Sequence, residues 1–591
     1  MTADPNLLFA RAEQAYLAGD DAAALAALAR VRQIAGEQAP VLHLAALAHK
    51  RRGDTVAAAD AFRRARRLAP NDPQIANNHA NLLDAMGDVD GALAAYEQAL
   101  RAAPGFVDAR LNRALVLQRV GRSVEALVDL DRGLAAAPHD ARLLSARGGV
   151  LRDVGRLSEA ADAFDAALRV DPARVPALIG RARVALERGE PDAAGRYAAA
   201  VASRPDDTAL RLGHALAVEA AGGASAIPIL EAAVSHQPGW IEGHEQLARM
   251  RSEAGEDADP LRSFGVALAD RPDDIALHFA YWRALLRSAR ASEALDAIDA
   301  AGDRLGESSD LLLMEALAAS ESGRHARAER AFDRLGDDPD TVSARARHAL
   351  RSGAPDRAAT LLENVVRERR DDVAAWAHLS LAWRLTGDDR LQWLCGQPGL
   401  YGAIDLDVPR LSALAAVLRG LHRTRAHPIG QSLRGGTQTR GRLFARTESA
   451  LADLLRMLEA AVAAHVAALP PRDDRHPLLR HRDAALQIAG SWSVRLTASG
   501  YHVNHIHPEG ILSSAFYVSL PPDLGSGERR DGWLDLGAPP AELGLDLSPL
   551  TSIEPRPGRL ALFPSYLFHG TRPFQDGERL TVAFDVAAAP V

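Results

Sequence analysis

The stretch GDVDGALAAYEQALRAAP, residues 87–104, decides the fold of most of this chain, because close variants of it recur every 34 residues. Related stretches occupy residues 121–138 and 155–172. Each copy begins with glycine, has alanine five positions later, carries a bulky apolar residue nine positions after the glycine, and ends with proline. The residues that keep this spacing are Gly53, Gly87, Gly121, Gly155, Gly189, Pro70, Pro104, Pro138 and Pro172.

These residue types predict a helix–turn–helix unit. Glycine permits the backbone of the turn, alanine lets the two helices approach closely, and proline ends the second helix. The pattern resembles the tetratricopeptide repeat (TPR). The resemblance implies an all-α solenoid of about eleven units, which sets the first predicted domain at residues 1–390.

A solenoid of this length is predicted to curve into a superhelix with a concave groove. Such grooves usually bind peptides or extended segments, so we expect a protein or peptide partner there. The alternative is an array that packs on itself or forms a homo-oligomer.

The composition is that of a globular protein and excludes several classes. Hydrophobic residues make up 47% of the 591 and charged residues 25%. The formal net charge is -8, so we expect no nucleic-acid-binding surface. Cys395 is the only cysteine, which excludes an intrachain disulfide and a cysteine-based zinc site. We find neither a signal peptide nor a membrane-spanning apolar stretch, and we expect a cytoplasmic protein that does not bind membranes.

The repeat pattern stops after Gly387, and residues 391–424 are predicted to be a junction with a linker helix. From about residue 486 the apolar period changes to two, and short strands alternate with Gly/Pro turns. This pattern predicts a jelly-roll domain with flanking helices over residues 425–591. Residues 434–439, RGGTQT, are predicted to form a polar loop that binds an anion, covers a site or only connects.

Three histidines and an arginine form the candidate site. In His505-Ile-His507-Pro508 the two imidazoles are predicted to lie on the same face of a strand, since alternate residues point the same way. Imidazole ligates iron, zinc, copper and nickel, and the distant His569 can complete a three-ligand face. Arg579 can hold a carboxylate by a bidentate pair, and Thr581, on the same face, can add a hydroxyl bond.

This arrangement resembles the iron(II)/2-oxoglutarate oxygenases, and within them a bacterial subfamily with His-x-His in place of His-x-Asp. The resemblance covers roughly residues 425–591 and implies a double-stranded β-helix fold. It also implies three cofactors or reactants, namely Fe(II), 2-oxoglutarate and O₂. The residues that it assigns to them are His505, His507 and His569 as catalytic metal ligands and Arg579 with Thr581 as the co-substrate site.

Three assignments stay open from the sequence. The usual family has a carboxylate at the position of His507. His507 is therefore either the third ligand or a residue that contacts the ligands without binding the metal. Asp535 is an alternative carboxylate ligand. Arg495 carries a charge on a predicted central strand and needs a partner, so it is a further candidate to contact the co-substrate or the substrate.

The resemblance implies an enzyme, a 2-oxoglutarate-dependent dioxygenase. It would hydroxylate a C–H bond while 2-oxoglutarate is converted to succinate and CO₂, and the TPR groove would recruit a protein or peptide substrate. One alternative is an adaptor with an inactive oxygenase-like domain. Another is a cupin that does not use 2-oxoglutarate, but Gly510 and Ile511 stand where a cupin needs glutamate, and Arg579 then has no role.

Overall fold

The computed structural model describes residues 4–223, 225–256, 258–522, 524 and 530–589. The chain forms two compact units. The first comprises Met1–Ala185 and Gly195–Pro205, and the second comprises Leu186–Ala194 and Asp206–Val591. Across the described ranges, no helix combines the length and the apolar character that a membrane span requires.

The first unit is built of helices joined by short turns. The last two of these helices also include residues assigned to the second unit. These helices are α1 (Pro5–Leu17), α2 (Asp21–Ala35), α3 (Ala39–Arg51), α4 (Thr55–Leu68), α5 (Pro73–Ala85), α6 (Val89–Ala102), α7 (Val107–Arg119), α8 (Ser123–Ala136), α9 (Ala141–Asp153), α10 (Leu157–Val170), α11 (Val175–Glu187) and α12 (Ala193–Ser203).

The repeated glycines lie in the turns, as predicted. Gly53 follows α3 with φ +80°, and Gly87 follows α5 with φ +82°, a conformation that residues with a side chain rarely adopt. The aspartate after each of these two glycines caps the next helix: the carboxylate of Asp54 accepts from Ala57 N at 3.2 Å, and that of Asp88 accepts from Gly91 N at 2.9 Å. The same two residue types therefore end one helix and begin the next.

Phe164 fills the space between neighbouring repeats. It lies on α10, is 2% exposed, and its ring contacts α9 at Gly148 and α11 at Gly180. A Cβ atom on Gly180 would lie 2.2 Å from the ring, and one on Gly148 would lie 2.8 Å from it. Glycine is required at both positions because the ring occupies the space of a side chain, and this close packing fixes the repeat-to-repeat register.

The second unit begins with further helices and ends in two β-sheets. Its helices are α13 (Thr208–Ala220), α14 (Ala226–His236), α15 (Ile241–Ala254), α16 (Arg262–Asp270), α17 (Ile275–Arg287), α18 (Ala291–Leu305), α19 (Ser309–Glu321), α20 (His325–Phe332), α21 (Pro339–Arg351), α22 (Pro355–Glu368), α23 (Val373–Thr386), α24 (Arg390–Cys395), α25 (Leu411–Leu421) and α26 (Ser449–Ala468). Its strands are β1 (Gly402–Asp405), β2 (Leu433–Gln438), β3 (Leu486–His502), β4 (Leu512–Ser519), β5 (Leu534–Leu536), β6 (Thr551–Ile553), β7 (Arg559–Pro564), β8 (His569–Thr571) and β9 (Arg579–Ala588).

The described strands pair in antiparallel fashion, in the order β1-β7-β4-β9-β3-β2 in the larger sheet and β6-β5-β8 in the smaller one. The predicted combination of an N-terminal helical repeat region and a C-terminal β region is confirmed. Two features stay predictions. They are the closure of the strands into a double-stranded β-helix and the domain limits 1–390, 391–424 and 425–591.

Alternation along β9 gives the larger sheet two different faces. Leu580, Val582 and Phe584 are fully buried in a core shared with helices α21–α26. Arg579 and Thr581 lie on the opposite face, where the candidate site is formed.

The polar segment 434–439 is not a loop, which corrects the prediction. Its residues form most of β2, which pairs with β3 and has a register shift between Arg434 and Gly436. A Cβ atom on Gly436 would lie 2.3 Å from the carbonyl oxygen of Arg495. Glycine therefore permits close approach of two strands here, and the sequence signal taken for a flexible loop reflects a bulged edge strand.

The predicted junction also contributes to the sheet. Residues 402–405 form β1, which pairs with β7 from Gly402 opposite Leu562 to Asp405 opposite Arg559. The ion pair between Asp405 and Arg559 fixes this edge, with 2.6 Å between Oδ1 and Nε.

Candidate metal centre

Three histidines converge beside an isolated β-bridge that joins the segment after β3 to β8 of the smaller sheet. His505 follows β3, His569 begins β8, and each donates its backbone N–H to the other's carbonyl, at 3.0 and 2.9 Å. The imidazole of His507 joins them, with 3.1 Å between the Nε2 atoms of His505 and His507. One ring nitrogen from each of the three residues lies within 4.8 Å of the others, which is the spacing of ligands around one metal ion.

The hydrogen bonds of two rings fix which nitrogen faces the centre. His505 Nδ1 lies 2.9 Å from the carbonyl oxygen of Val503, and His569 Nδ1 lies 3.1 Å from that of Leu567. A carbonyl oxygen only accepts, so Nδ1 carries the proton in both rings. The Nε2 lone pairs are thereby left for a cation, as in metal sites where the other ring nitrogen donates to a carbonyl.

His507 uses a carboxylate instead of a carbonyl. Its Nδ1 lies 2.6 Å from Oδ1 of Asp585 on β9, and Ser513 Oγ donates to the same oxygen at 2.9 Å. The pairing of Ser513 with Asp585 in the β4–β9 register brings these groups together. Since Nδ1 is held by Asp585, the Nε2 atom of His507 faces the other two histidines.

Burial keeps the imidazoles of His505 and His569 neutral. It lowers the pKa of His505 to about 4, with a further decrease from the nearby His507. Burial also lowers the pKa of His569 well below its ordinary value of 6.5. Metal ligation requires neutral imidazole, so these rings are in the binding form at neutral pH.

Arg579 lies on the same face of β9 as Asp585. It is almost completely buried, with 3% of its surface exposed. Its Nε and Nη1 atoms have no hydrogen-bond partner in the part of the chain that the structure describes. The Tyr517 ring packs against the guanidinium, with 5.1 Å from Cζ to the ring centroid, and burial lowers the pKa of Arg579. Buried guanidinium N–H groups without acceptors are costly, and a ligand carboxylate would supply the missing acceptors.

Two family models match the chain. Residues 490–585 match the family described as "Putative 2OG-Fe(II) oxygenase", and residues 77–141, 145–207 and 343–389 match the tetratricopeptide repeat. The chain carries tetratricopeptide repeats and a C-terminal 2OG-Fe(II) oxygenase family domain. The three histidines, Arg579 and Asp585 all fall inside the matched range of the oxygenase domain.

The solved structures similar to this chain include TPR proteins, at low identity. YrrB, described as a TPR protein with an unusual peptide-binding site, is 21% identical over 31% of this chain and 96% of its own, with a TM-score of 0.28. MamA from Desulfovibrio magneticus RS-1 is 21% identical over 29% of this chain and 96% of its own, with a TM-score of 0.27. Yeast Tom70 is 13% identical over 66% of this chain and 96% of its own, with a TM-score of 0.32. No curated protein matches the chain.

One cavity of the oxygenase domain contains the histidines and the arginine together. Its walls combine the polar groups of the histidines and Arg579 with apolar side chains. The residues that line it are Trp492, Val494, His502, His505, His507, Ser514, Ala515, Leu534, Phe563, His569, Gly570, Thr571, Arg579, Thr581 and Ala583. Thr581 therefore lies beside Arg579 in the cavity, as the alternation along β9 predicts.

Two of the sequence candidates lie elsewhere in the oxygenase domain. Arg495 is not part of the cavity lining, and its Nε donates to Oε2 of Glu578 at 2.5 Å. Asp535 accepts from Arg572 Nε at 2.9 Å and from Ser552 Oγ at 2.6 Å, and it is not in the cluster formed by the three histidines.

Two residues of the site were not among the sequence candidates. Asp585 could have been found, because it lies on the same face of β9 as Arg579 and Thr581 by simple alternation. His502 could not, because it belongs to a strand whose regular alternation turns it away from His505. In the structure the rings of His502 and His505 stack, with 5.7 Å between centroids, and His502 lines the cavity.

Proposed function

We propose that the C-terminal domain is an Fe(II)- and 2-oxoglutarate-dependent dioxygenase that hydroxylates a C–H bond of a protein or peptide substrate. The observation that carries this proposal is the buried guanidinium of Arg579, whose Nε and Nη1 lack partners among the described residues, in the same cavity as three converging imidazole nitrogens. A metal ligand set alone would fit many enzymes. The addition of a carboxylate receptor selects a metal enzyme with an oxoacid co-substrate.

The residues present fit an iron ion and its co-substrate. His505, His507 and His569 would hold the metal through Nε2, because three nitrogen ligands on one side leave open positions. Bound iron would supply the activation of O₂, with 2-oxoglutarate as the two-electron reductant. Arg579 would bind the far carboxylate of 2-oxoglutarate as a charge-assisted pair, with Thr581 as a hydroxyl partner.

The apolar part of the cavity wall would exclude water from the reaction. Phe563 is fully buried and its ring centroid lies 4.7 Å from that of His569. Val494 and Leu534 are each 2% exposed. With water excluded, the pair between Arg579 and a carboxylate is stronger than it would be in solvent.

A substrate would approach past Trp492. This side chain lines the cavity and also a second cleft of about 290 Å³, and its ring centroid lies 5.3 Å from that of His507. The cleft is polar, with Arg249 and Glu253 of α15 opposite Arg440, which forms an ion pair with Glu253. A cleft with these charged groups and several amide side chains suits hydrogen bonding to a peptide segment.

The helices of the second unit offer a larger surface for substrate recruitment. A groove of about 860 Å³ lies along α17, α19 and α21. Its floor contains Phe279, Leu313 and Leu317, and Arg283 and Arg347 also line it. We propose that an extended protein segment binds there, with apolar side chains on the floor.

The direct test is turnover of 2-oxoglutarate by protein loaded with Fe(II) without oxygen and then exposed to O₂. We expect metal binding and release of succinate and CO₂. Arg579→Ala should raise the KM for 2-oxoglutarate at least tenfold, because a charge-assisted bidentate pair contributes about 1.5–3 kcal/mol. Arg495→Ala is the matched control on the neighbouring strand, and its KM should stay close to that of the parent protein.

Failure to bind metal and to release succinate would contradict the proposal and favour an adaptor with an inactive domain. Metal binding with a KM unaffected by Arg579→Ala would instead favour an enzyme that does not use 2-oxoglutarate. A substrate can then be sought by trapping partners with a His505→Ala variant and measuring the mass of one added oxygen after treatment with the parent enzyme.

A further inference from the structure

We infer that Asp585 is a positioning residue that supplies the metal centre, through His507, with the negative charge that a carboxylate ligand supplies in the usual His-x-Asp set. This inference rests on the proposed function, since it concerns the iron site of that enzyme. It assigns a role to a residue that contacts neither the metal position nor the co-substrate site directly.

The three histidines are held in two different ways. The Nδ1 atoms of His505 and His569 donate to backbone carbonyls, which are neutral acceptors. His507 alone among the three is bonded to a carboxylate, at the short distance of 2.6 Å. His507 is also the residue that stands where the family resemblance expects a carboxylate ligand. The carboxylate of Asp585 is therefore bonded to His507, the one residue of the three that stands where the usual family has a negatively charged ligand.

The surroundings of Asp585 hold it in place. The side chain is 19% exposed, and Ser513 Oγ donates to Oδ1 at 2.9 Å. Ser513 Oγ also lies 2.9 Å from Ser565 Oγ. Gly510 leaves room for this group, because a Cβ atom there would lie 2.6 Å from Ser565 Oγ and 3.4 Å from Oδ1 of Asp585. Such a fixed carboxylate orients the ring of His507.

A carboxylate behind a ligating histidine has a defined chemical effect. It raises the electron donation of the opposite ring nitrogen and fixes the ring direction, and loss of such a partner typically weakens metal binding about 10–100-fold. Three neutral ligands would leave the full charge of the cation in a buried site. Asp585 offsets part of that charge, and the ligand at this position remains the imidazole of His507.

The test measures metal affinity of the full-length protein rather than activity. Co(II) binding is measured by titration calorimetry and by the Co(II) absorption bands for the parent, Asp585→Asn and Asp585→Ala. Asparagine keeps the size and an acceptor oxygen for His507 Nδ1 but removes the charge, so it separates charge from orientation. Asp535→Asn is the matched control, since Asp535 is also a hydrogen-bonded strand carboxylate of this domain but lies outside the histidine cluster.

We expect Asp585→Asn to weaken Co(II) binding about 10–100-fold and to shift the absorption bands, with a larger loss in Asp585→Ala. Asp535→Asn should bind like the parent. If Asp585→Asn binds within about threefold of the parent with unchanged bands, the inference is wrong. If the parent itself binds no Co(II), the proposed function fails instead, so the two failures are distinguishable.

A second comparison tests whether the site requires one negative charge rather than two. His507→Asp places a carboxylate next to the metal but leaves it beside Asp585, where two like charges repel. The double variant His507→Asp/Asp585→Asn restores a single negative charge. We expect the double variant to bind Co(II) more tightly than His507→Asp alone, and equal or weaker binding would overturn the inference.

Discussion

Single residues set the chemistry of this site, and Arg579 is the clearest case. Its guanidinium is buried beside the Tyr517 ring, with Nε and Nη1 lacking partners among the described residues. Natural folds seldom leave a buried charge in this state, because its desolvation is not offset. The arrangement costs stability in the free protein and is expected to be retained for a bound carboxylate.

Replacement of Arg579 by Met should therefore separate stability from binding. We expect Arg579→Met to raise the unfolding free energy of the ligand-free protein by about 1–3 kcal/mol, since a buried unsatisfied group is removed. The stabilisation that 2-oxoglutarate gives to Co(II)-loaded protein should be lost. Thermal unfolding with and without 2-oxoglutarate measures both effects. Arg495→Met should keep the ligand effect, and full stabilisation of Arg579→Met by 2-oxoglutarate would contradict the role.

The intervals between residues along the chain predict most of the candidate site. The residues that they do not predict were missed for physical reasons. His505, His507, His569 and Arg579 were selected because their residue types and intervals suit one ligand set, and the structure brings them to one cavity. Alternation places the remaining partner, Asp585, on the Arg579 face of β9, but it does not show that Asp585 contacts His507. That information comes from the sheet register, which spacing alone does not contain.

At the scale of elements, β2 shows how local signals can mislead. Two consecutive glycines among polar residues suggest a loop, yet Gly436 lies in a strand where only hydrogen fits. A partner strand decided the conformation, because its backbone hydrogen bonds and close approach outweigh the weak local preference of glycine.

Gly436→Ala should destabilise the edge of the larger sheet. The added methyl would lie 2.3 Å from a backbone carbonyl oxygen and 3.0 Å from the Cα atom of Leu496, and neither atom can move without shifting β3. We expect a loss of about 1–3 kcal/mol in the unfolding free energy, measured by urea unfolding. Gly402→Ala on β1, where nothing lies within 4 Å of the added atom, is the control and should change stability by less than about 0.5 kcal/mol. Equal stability of the two variants would contradict the close approach.

At the scale of the whole molecule, one apolar core joins helices and strands of the second unit. It extends from α21 to β9 and contains Cys395, which is 2% exposed. Burial raises the pKa of the Cys395 thiol to about 12. The thiolate that reacts with disulfide reagents is therefore scarce as well as inaccessible.

Cys395 should report the opening of this core. We expect no reaction with a disulfide reagent at pH 8 in the native protein and one reacted thiol after denaturation, because Cys395 is the only cysteine. The colour yield of the released thiol measures the reaction. Rapid labelling of the native protein would show that the core around α24 is open in solution.

Buried neutral histidines in this unit predict acid sensitivity. Burial lowers the pKa of His422 and of His476 to about 4 in each case, whereas an unfolded histidine has its ordinary value of 6.5. The stability is present above pH 6.5 and is lost as the pH falls toward 4, because only the unfolded chain takes up protons in that window. Each histidine should contribute about 1.4 kcal/mol per pH unit between these values.

The comparison of urea unfolding midpoints at pH 7 and pH 5, followed by tryptophan fluorescence, measures this loss. His476→Gln should reduce the difference between the two pH values. His476 accepts from two backbone N–H groups through Nδ1 and donates to the carbonyl of Leu394 through Nε2, so protonation would break existing bonds. The exposed His236 provides the control, since His236→Gln should leave the difference unchanged. No effect of His476→Gln would contradict the assignment.

The sequence by itself determined the repeat region and the choice of candidate metal-binding side chains. A 34-residue period fixes the helix pairs because the glycine, alanine, aromatic and proline requirements are local, and the intervals between His505, His569 and Arg579 limit the chemistry. The tertiary structure decided which other groups contact those side chains. Strand register brings Asp585 to His507 and β2 into the sheet, and burial leaves Nε and Nη1 of Arg579 without partners among the described residues. These arrangements depend on contacts between residues far apart in the chain.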